Sequence, residues 1–216
     1  MQQTRNFNLK DISIRIIAVL ILGVIIWKLI ATLSDVLIGQ TYDALHHFII
    51  ALITAVLTLT LIKIALRMDH ISWRQLGQSS LKRNVVSFLL GLILWLVPAS
   101  IGLWICLKVG WVEIQFQTNL NHLLLSISVL FITVFLIEAL SEEFIFRGYV
   151  YRFLNVLCPH WVTIILQALL FSLFAYFIGA LYSVEQLQFI PGFAIILGLF
   201  RAISGSVWTS IGFHVA

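Results

Sequence analysis

Charge is scarce in this chain. Of 216 residues only 10% are Asp, Glu, Lys or Arg, whereas 61% are hydrophobic and the mean hydropathy is +1.07. Soluble domains are roughly a quarter charged, so a water-soluble fold is excluded. Polar linkers are equally rare: the one long polar stretch, near residues 68 to 84, leaves no room for a soluble second domain. Cysteine is limited to Cys106 and Cys158, which lie in or beside different apolar runs without metal or redox spacing. A disulfide framework therefore has no basis, and both thiols read as packing residues. Familiar catalytic strings are missing too. There is no H-E-x-x-H, no G-x-S-x-G, no P-loop and no G-x-G-x-x-G, which removes support for a zinc-protease helix, a serine nucleophile or nucleotide chemistry. The net charge of +4 does not signal a nucleic-acid partner, because the basic residues stand at the ends of apolar runs, where they anchor spans to lipid headgroups.

What is present is a series of long apolar runs. A helix crosses a bilayer core of about 30 Å with roughly 20 apolar residues. The predicted spans are Ile16 to Leu33, Phe48 to Leu66, Val85 to Leu107, a fourth ending near Ile137, Trp161 to Val184 and Phe189 to Ile203, with a last segment from Ser206. The first run lacks a small-residue cleavage pattern and is expected to be retained. The fold class is therefore all-α, a polytopic membrane helix bundle of about seven spans, the last incomplete at Ala216 as in a fragment. Lys28 and Lys63 interrupt apolar runs near their ends and can snorkel. Arg5, Lys10, Arg15, Lys63, Arg67, Arg74, Lys82, Arg83, Arg147, Arg152 and Arg201 fall on one side, against Lys28 and Lys108 on the other. The positive-inside rule then puts the N-terminus in the cytoplasm. The tract from Met68 to Asn84 reads as a cytoplasmic linker lying along the interface on Ile71, Trp73, Leu76 and Leu81. It divides an N-terminal two-span region, 1–84, from a core, 85–216.

Acids within a membrane helix are costly unless paired or wetted, so each is a functional hypothesis by default. Glu138, Glu142 and Glu143 occur together, followed by Arg147. If the fourth helix continues, Glu143 and Arg147 stand at i and i+4 as an ion pair. Glu138 and Glu142 share a neighbouring face, where two like charges repel in low dielectric. A carboxylate so placed can act as a general base on water. The plainer alternative is a juxtamembrane acidic cluster neutralised by arginine. His46, His47, His70, His122 and His160 fall at interfaces or loops, whereas His214 lies inside the last apolar segment, as a buried hydrogen-bonding partner or as part of an active site. Ser141 points about 100° away from Glu142 on a helix and reads as a cap or back-bonding residue.

These residues resemble the CPBP intramembrane proteases, the Abi or CAAX-processing and bacteriocin-processing family, over roughly 85 to 216. The first motif of that family, E-E-x-x-x-R then G, is present as Glu142, Glu143, Arg147 and Gly148. The third, H-x-x-x-N after a G-S-x-W turn, is represented by Gly205, Ser206, Trp208 and His214, with its asparagine expected two residues past Ala216. The second, F-x-x-x-H, is broken: Phe171 fits the phenylalanine, but Ala175 stands at the histidine position, and Tyr176 is a one-residue step, about 100°, off that face.

The resemblance implies an intramembrane endopeptidase, a hydrolase in which Glu142 activates water, Glu143 and Arg147 shape the site, and His214 helps bind that water or a metal and steadies the oxyanion. It leaves a divalent metal such as zinc open as cofactor, although one histidine with carboxylates falls short of the three protein ligands of catalytic zinc. Peptide or protein substrates and membrane lipids are the implied partners. The alternatives are a catalytically impaired relative serving as membrane scaffold or bacteriocin immunity factor, favoured by Ala175, and a proton-coupled transporter using Glu138 and Glu142. Lack of eukaryotic targeting signals points to a bacterial plasma membrane.

Overall fold

The computed structural model describes residues 8–38, 44–115 and 117–216; Arg5 of the charge tally lies outside them. Among the described residues seven helices form the bundle: α1 (Leu9–Ile38), α2 (Ala44–Asp69), α3 (Leu81–Val109), α4 (Leu120–Leu157), α5 (His160–Ile178), α6 (Val184–Ser204) and α7 (Val207–Val215). No strand occurs among the described residues. Six of the helices are long and apolar enough to cross a membrane, so the protein is an integral membrane protein. Side chains such as Leu89, Ile93 and Trp104 of α3 and Leu169 and Leu173 of α5 point outward, where lipid tails rather than protein complete their surroundings.

The fourth span differs from its sequence reading. Instead of ending near Ile137 it runs on to Leu157, 38 residues in all. The polar stretch needs no exit from the helix because the bundle covers it: every residue from Ser141 to Tyr151 is buried. Two wide π segments, Phe135–Leu140 and Phe144–Val150, flank a single α turn at Ser141–Glu143. Such turns are uncommon and recur at functional sites, because they re-aim side chains and leave carbonyls to be satisfied by other groups. Ser141 does this as a back-bonding residue, its hydroxyl donating to the Leu136 carbonyl at 2.8 Å.

The linker also departs from expectation. It holds a 3-10 turn, Trp73–Leu76, that buries Leu76 completely beneath α4 rather than floating on the interface. Gly77 follows with φ of 92°, and its carbonyl accepts from the Val207 amide at 3.3 Å. A Cβ at Gly77 would fall 2.8 Å from the Arg201 guanidinium carbon, so both conformation and space demand glycine there. The start of α7 is thereby pinned at the linker end of the bundle.

Helix α7 packs chiefly on α3, and the backbones touch. A Cβ on Gly91 would collide with the Thr209 carbonyl, and one on Gly212 with the Phe88 carbonyl. Small residues at such a crossing are the usual means of close helix approach in lipid, where apolar burial gives no net drive. Trp95 meets Phe213 edge-on at 5.4 Å in the same interface. The α1–α2 pair is fastened to the core by polar contacts: Arg15 pairs with buried Asp69, and Asp69 accepts a 2.6 Å hydrogen bond from Tyr149 of α4.

Candidate active site

Seven residues past the pinned start of α7, His214 lies about 10 Å into the bundle at the helical rise of about 1.5 Å per residue. Its Nδ1 is 2.9 Å from Glu143 Oε1, and the same oxygen accepts from Arg147 NH1 at 3.0 Å. The sequence reading of Glu143 and Arg147 as an i, i+4 pair is observed, with both side chains fully buried. A carboxylate that already receives a guanidinium proton is an acceptor, so His214 donates to it through Nδ1–H, which leaves the Nε2 edge for other contacts. Glu143 thus joins α4 to α7 and fixes the orientation of the imidazole.

Arg147 is held from three sides. Its NH2 donates to the Ala194 carbonyl of α6 at 3.2 Å, its guanidinium lies 4.6 Å over the Phe171 ring, and its own carbonyl accepts from Arg201 Nε at 2.9 Å. Gln167 reaches the same Ala194 carbonyl at 2.9 Å. Arg201 and Gln167 were not singled out in the sequence, Arg201 being counted only as an interfacial charge. Their signal was there: a polar side chain inside an apolar run has to find a partner in the bundle interior.

Glu142 is placed differently from its neighbour. It is only 7% exposed, has no hydrogen-bond or ion-pair partner among the described residues, and lines a cavity of about 530 Å³. His214, Glu138, Ala175, Tyr182 and Trp95 line it as well, so α4, α5, α7 and α3 all contribute to one open cavity. Its volume is in the range of about 300–1,000 Å³ common for small-ligand sites. Ala175, the position where the second motif lacks its histidine, faces this cavity, whereas Tyr176 is 64% exposed and points away from the bundle.

A resident metal does not fit these residues. No group of three or more His, Cys, Asp or Glu side chains is arranged to hold an ion among the described residues. His214 Nδ1 and Glu143 Oε1 are bonded to each other, and Arg147 neutralises the carboxylate. Three free protein donors, as catalytic zinc needs, are not assembled.

The family model of type II CAAX prenyl endopeptidases, Rce1-like, matches residues 124–216, which takes in α4 to α7 and every residue of the site apart from the α1 and α3 walls. No curated protein and no solved structure matches the chain.

Proposed function

We propose that the chain, whose residues 124–216 match the family model of type II CAAX prenyl endopeptidases (Rce1-like), is an intramembrane endopeptidase in which Glu142 activates water. The observation that carries this reading is the shared cavity of Glu142 and His214, contributed by α4 and α7, with Glu143 tying the two helices together. An unpartnered carboxylate on a cavity wall is free to take a proton from water. The water oxygen then attacks the scissile carbonyl. His214, oriented through Nδ1 by Glu143, presents Nε2 toward the developing oxyanion when the ring carries both protons; one such donor contributes about 100-fold to 1,000-fold in rate. Arg147 and Glu143 keep the wide-turned helix in register and touch neither substrate nor water. Residues 85–216 form the peptidase core and 1–84 a two-span region that closes it, with the N-terminus in the cytoplasm of a bacterial plasma membrane. The substrate is a peptide that enters the cavity, which the loop between α5 and α6 borders through Ala180 and Tyr182.

A second reading is favoured by Ala175: a relative that keeps the pocket but has lost cleavage, acting as a membrane scaffold or immunity factor. One experiment separates the two. The full-length chain in liposomes is given a fluorogenic C-terminal peptide with and without a prenyl group. Cleavage that falls at least about 100-fold in Glu142→Gln supports the peptidase. Cleavage unaffected by that change overturns it, and cleavage appearing only in Ala175→His selects the scaffold.

A further inference from the structure

We propose that the groove between α2, the linker, α4 and the start of α7 binds one anionic phospholipid, with its phosphodiester at Lys63 and its acyl chains along Val56 and Leu140. The groove has a volume of about 540 Å³ and shares no lining residue with the cavity of Glu142 and His214, so the inference does not depend on the peptidase reading. Its polar lining consists of Thr60, Lys63, Trp73, Gln78 and Trp208. Each of these side chains carries a donor, none is a carboxylate, and none has a hydrogen-bond or ion-pair partner among the described residues. The indole N–H of Trp208 is moreover buried with no acceptor. Buried donors in folded proteins nearly always find an acceptor, so this orphan calls for one from outside the chain.

Spacing on α2 sets the direction in which the ligand lies. Val56, Leu59, Thr60 and Lys63 stand at i, i+3, i+4 and i+7, one stripe of the helix, and all four line the groove. Lys63 is nearer the linker end of α2, and Val56 lies about 10 Å deeper at the helical rise. Trp73 and Gln78 belong to the linker, so the donors gather at that end, whereas Val56, Leu59 and Leu140 give the deeper part an apolar wall. Phe144 packs edge-on against both indoles, 5.4 Å from Trp73 and 6.2 Å from Trp208 between ring centroids, and holds them in place. Val56 is 55% exposed and Lys63 is exposed as well, so the groove opens sideways onto lipid. Lysine on a long stem and indole N–H groups are the donors that membrane proteins present at headgroup level, and basic sites between helices take anionic headgroups. Arg67, one turn further along α2, adds a second positive charge at the same end. A soluble anion would fill the polar end and leave the apolar wall bare. A zwitterionic lipid would bring a cation of its own against Lys63 and Arg67, whereas an anionic phospholipid suits both ends.

The test follows thermal unfolding of the full-length chain, freed of lipid in dodecyl maltoside, on adding dioleoyl phosphatidylglycerol, dioleoyl phosphatidylcholine or inorganic phosphate. Each variant is read against its own midpoint without additive, so changes in intrinsic stability drop out. The inference expects saturating phosphatidylglycerol to raise the midpoint by about 5 °C or more, with phosphatidylcholine and phosphate giving less than half of that. Lys63→Gln and Trp208→Phe, which keeps the packing ring but removes the N–H, should each lose at least half of the shift. Lys82→Gln, which removes a cation at the same end but outside the groove, should keep it. No shift with phosphatidylglycerol overturns the inference. An equal shift with phosphatidylcholine shows apolar filling alone and overturns it too, and a full shift with phosphate shows a free anion in place of a lipid. A shift that survives in the double variant Lys63→Gln with Trp208→Phe, or that Lys82→Gln abolishes as fully as Lys63→Gln does, places the lipid elsewhere and likewise overturns it.

Discussion

Neutralising Glu143 while keeping its shape tests the polar core without touching the proposed base. In Glu143→Gln the Oε1 atom that accepts from Arg147 at 3.0 Å and from His214 at 2.9 Å loses its charge. Hydrogen bonds involving a charged group are worth about 1.5–3 kcal/mol each and neutral ones about 0.5–1.5, so weakening two of them amounts to about 2–3 kcal/mol. An independent route gives a similar figure: breaking a buried ion pair from one side costs about 3–5 kcal/mol because the remaining charge is stranded. Arg147 would be that stranded charge, fully buried beside the Ala194 carbonyl and the Phe171 ring. At about 2–4 °C per kcal/mol for a chain of this size, a loss of about 2–5 kcal/mol should lower the midpoint of thermal unfolding by about 4–20 °C. Circular dichroism of the detergent-solubilised protein reads this directly. The double variant Glu143→Gln with Arg147→Met should melt closer to the natural chain than Glu143→Gln does, since no guanidinium is left unpaired. A midpoint within about 2 °C of natural for Glu143→Gln alone, about 0.5–1 kcal/mol on that scale, would refute the argument.

Other consequences can be checked alongside. Glu142→Gln replaces a buried carboxyl that has no hydrogen-bond partner among the described residues, so it should melt no lower than the natural chain; a large loss would show that its carboxyl is structural. Leu76→Ala should cost about 2–5 kcal/mol, since Leu76 is wholly buried under α4, and urea or thermal unfolding would report it. Tyr149→Phe removes the 2.6 Å bond to Asp69 and should cost about 1.5–3 kcal/mol, given that the acceptor is charged. Gly91→Leu forces a side chain into the Thr209 carbonyl, so α7 should separate from α3. Protease protection of the α7 segment would then drop, whereas Gly102→Leu, which meets nothing within 4 Å, should leave it intact.

Much of the architecture could be read from the residues because a bilayer permits so few solutions. Runs such as IIALITAVLTLTLIKIAL can only be spanning helices, and the pairing of Glu143 with Arg147 followed from four-residue spacing alone. His214 stood out since an imidazole deep in an apolar run calls for a partner, and Glu143 is that partner. What could not be read was the continuation of α4 beyond Ile137. Hydropathy sees Glu138, Glu142, Glu143 and Arg147 as the end of a span, whereas the bundle supplies partners across α5 to α7 that hydropathy does not encode. The same limit applied to the linker: its apolar residues suggested an amphipathic surface, but Leu76 found a slot in the protein rather than lipid. Arg201 was hidden for a related reason. Its tally as an interfacial cation was consistent with charge counting, yet its Nε satisfies the carbonyl of Arg147 inside a widened turn, a need that appears only once the turn is wide.

The most direct test of the central claim is single-turnover cleavage of the peptide in water enriched in oxygen-18, comparing the natural chain with Glu142→Gln. Water activated by Glu142 predicts one labelled oxygen in the new carboxyl terminus, formed at a rate that drops at least about 100-fold in the variant. Labelled product formed equally fast by Glu142→Gln, or cleavage that leaves the new terminus unlabelled, would contradict it.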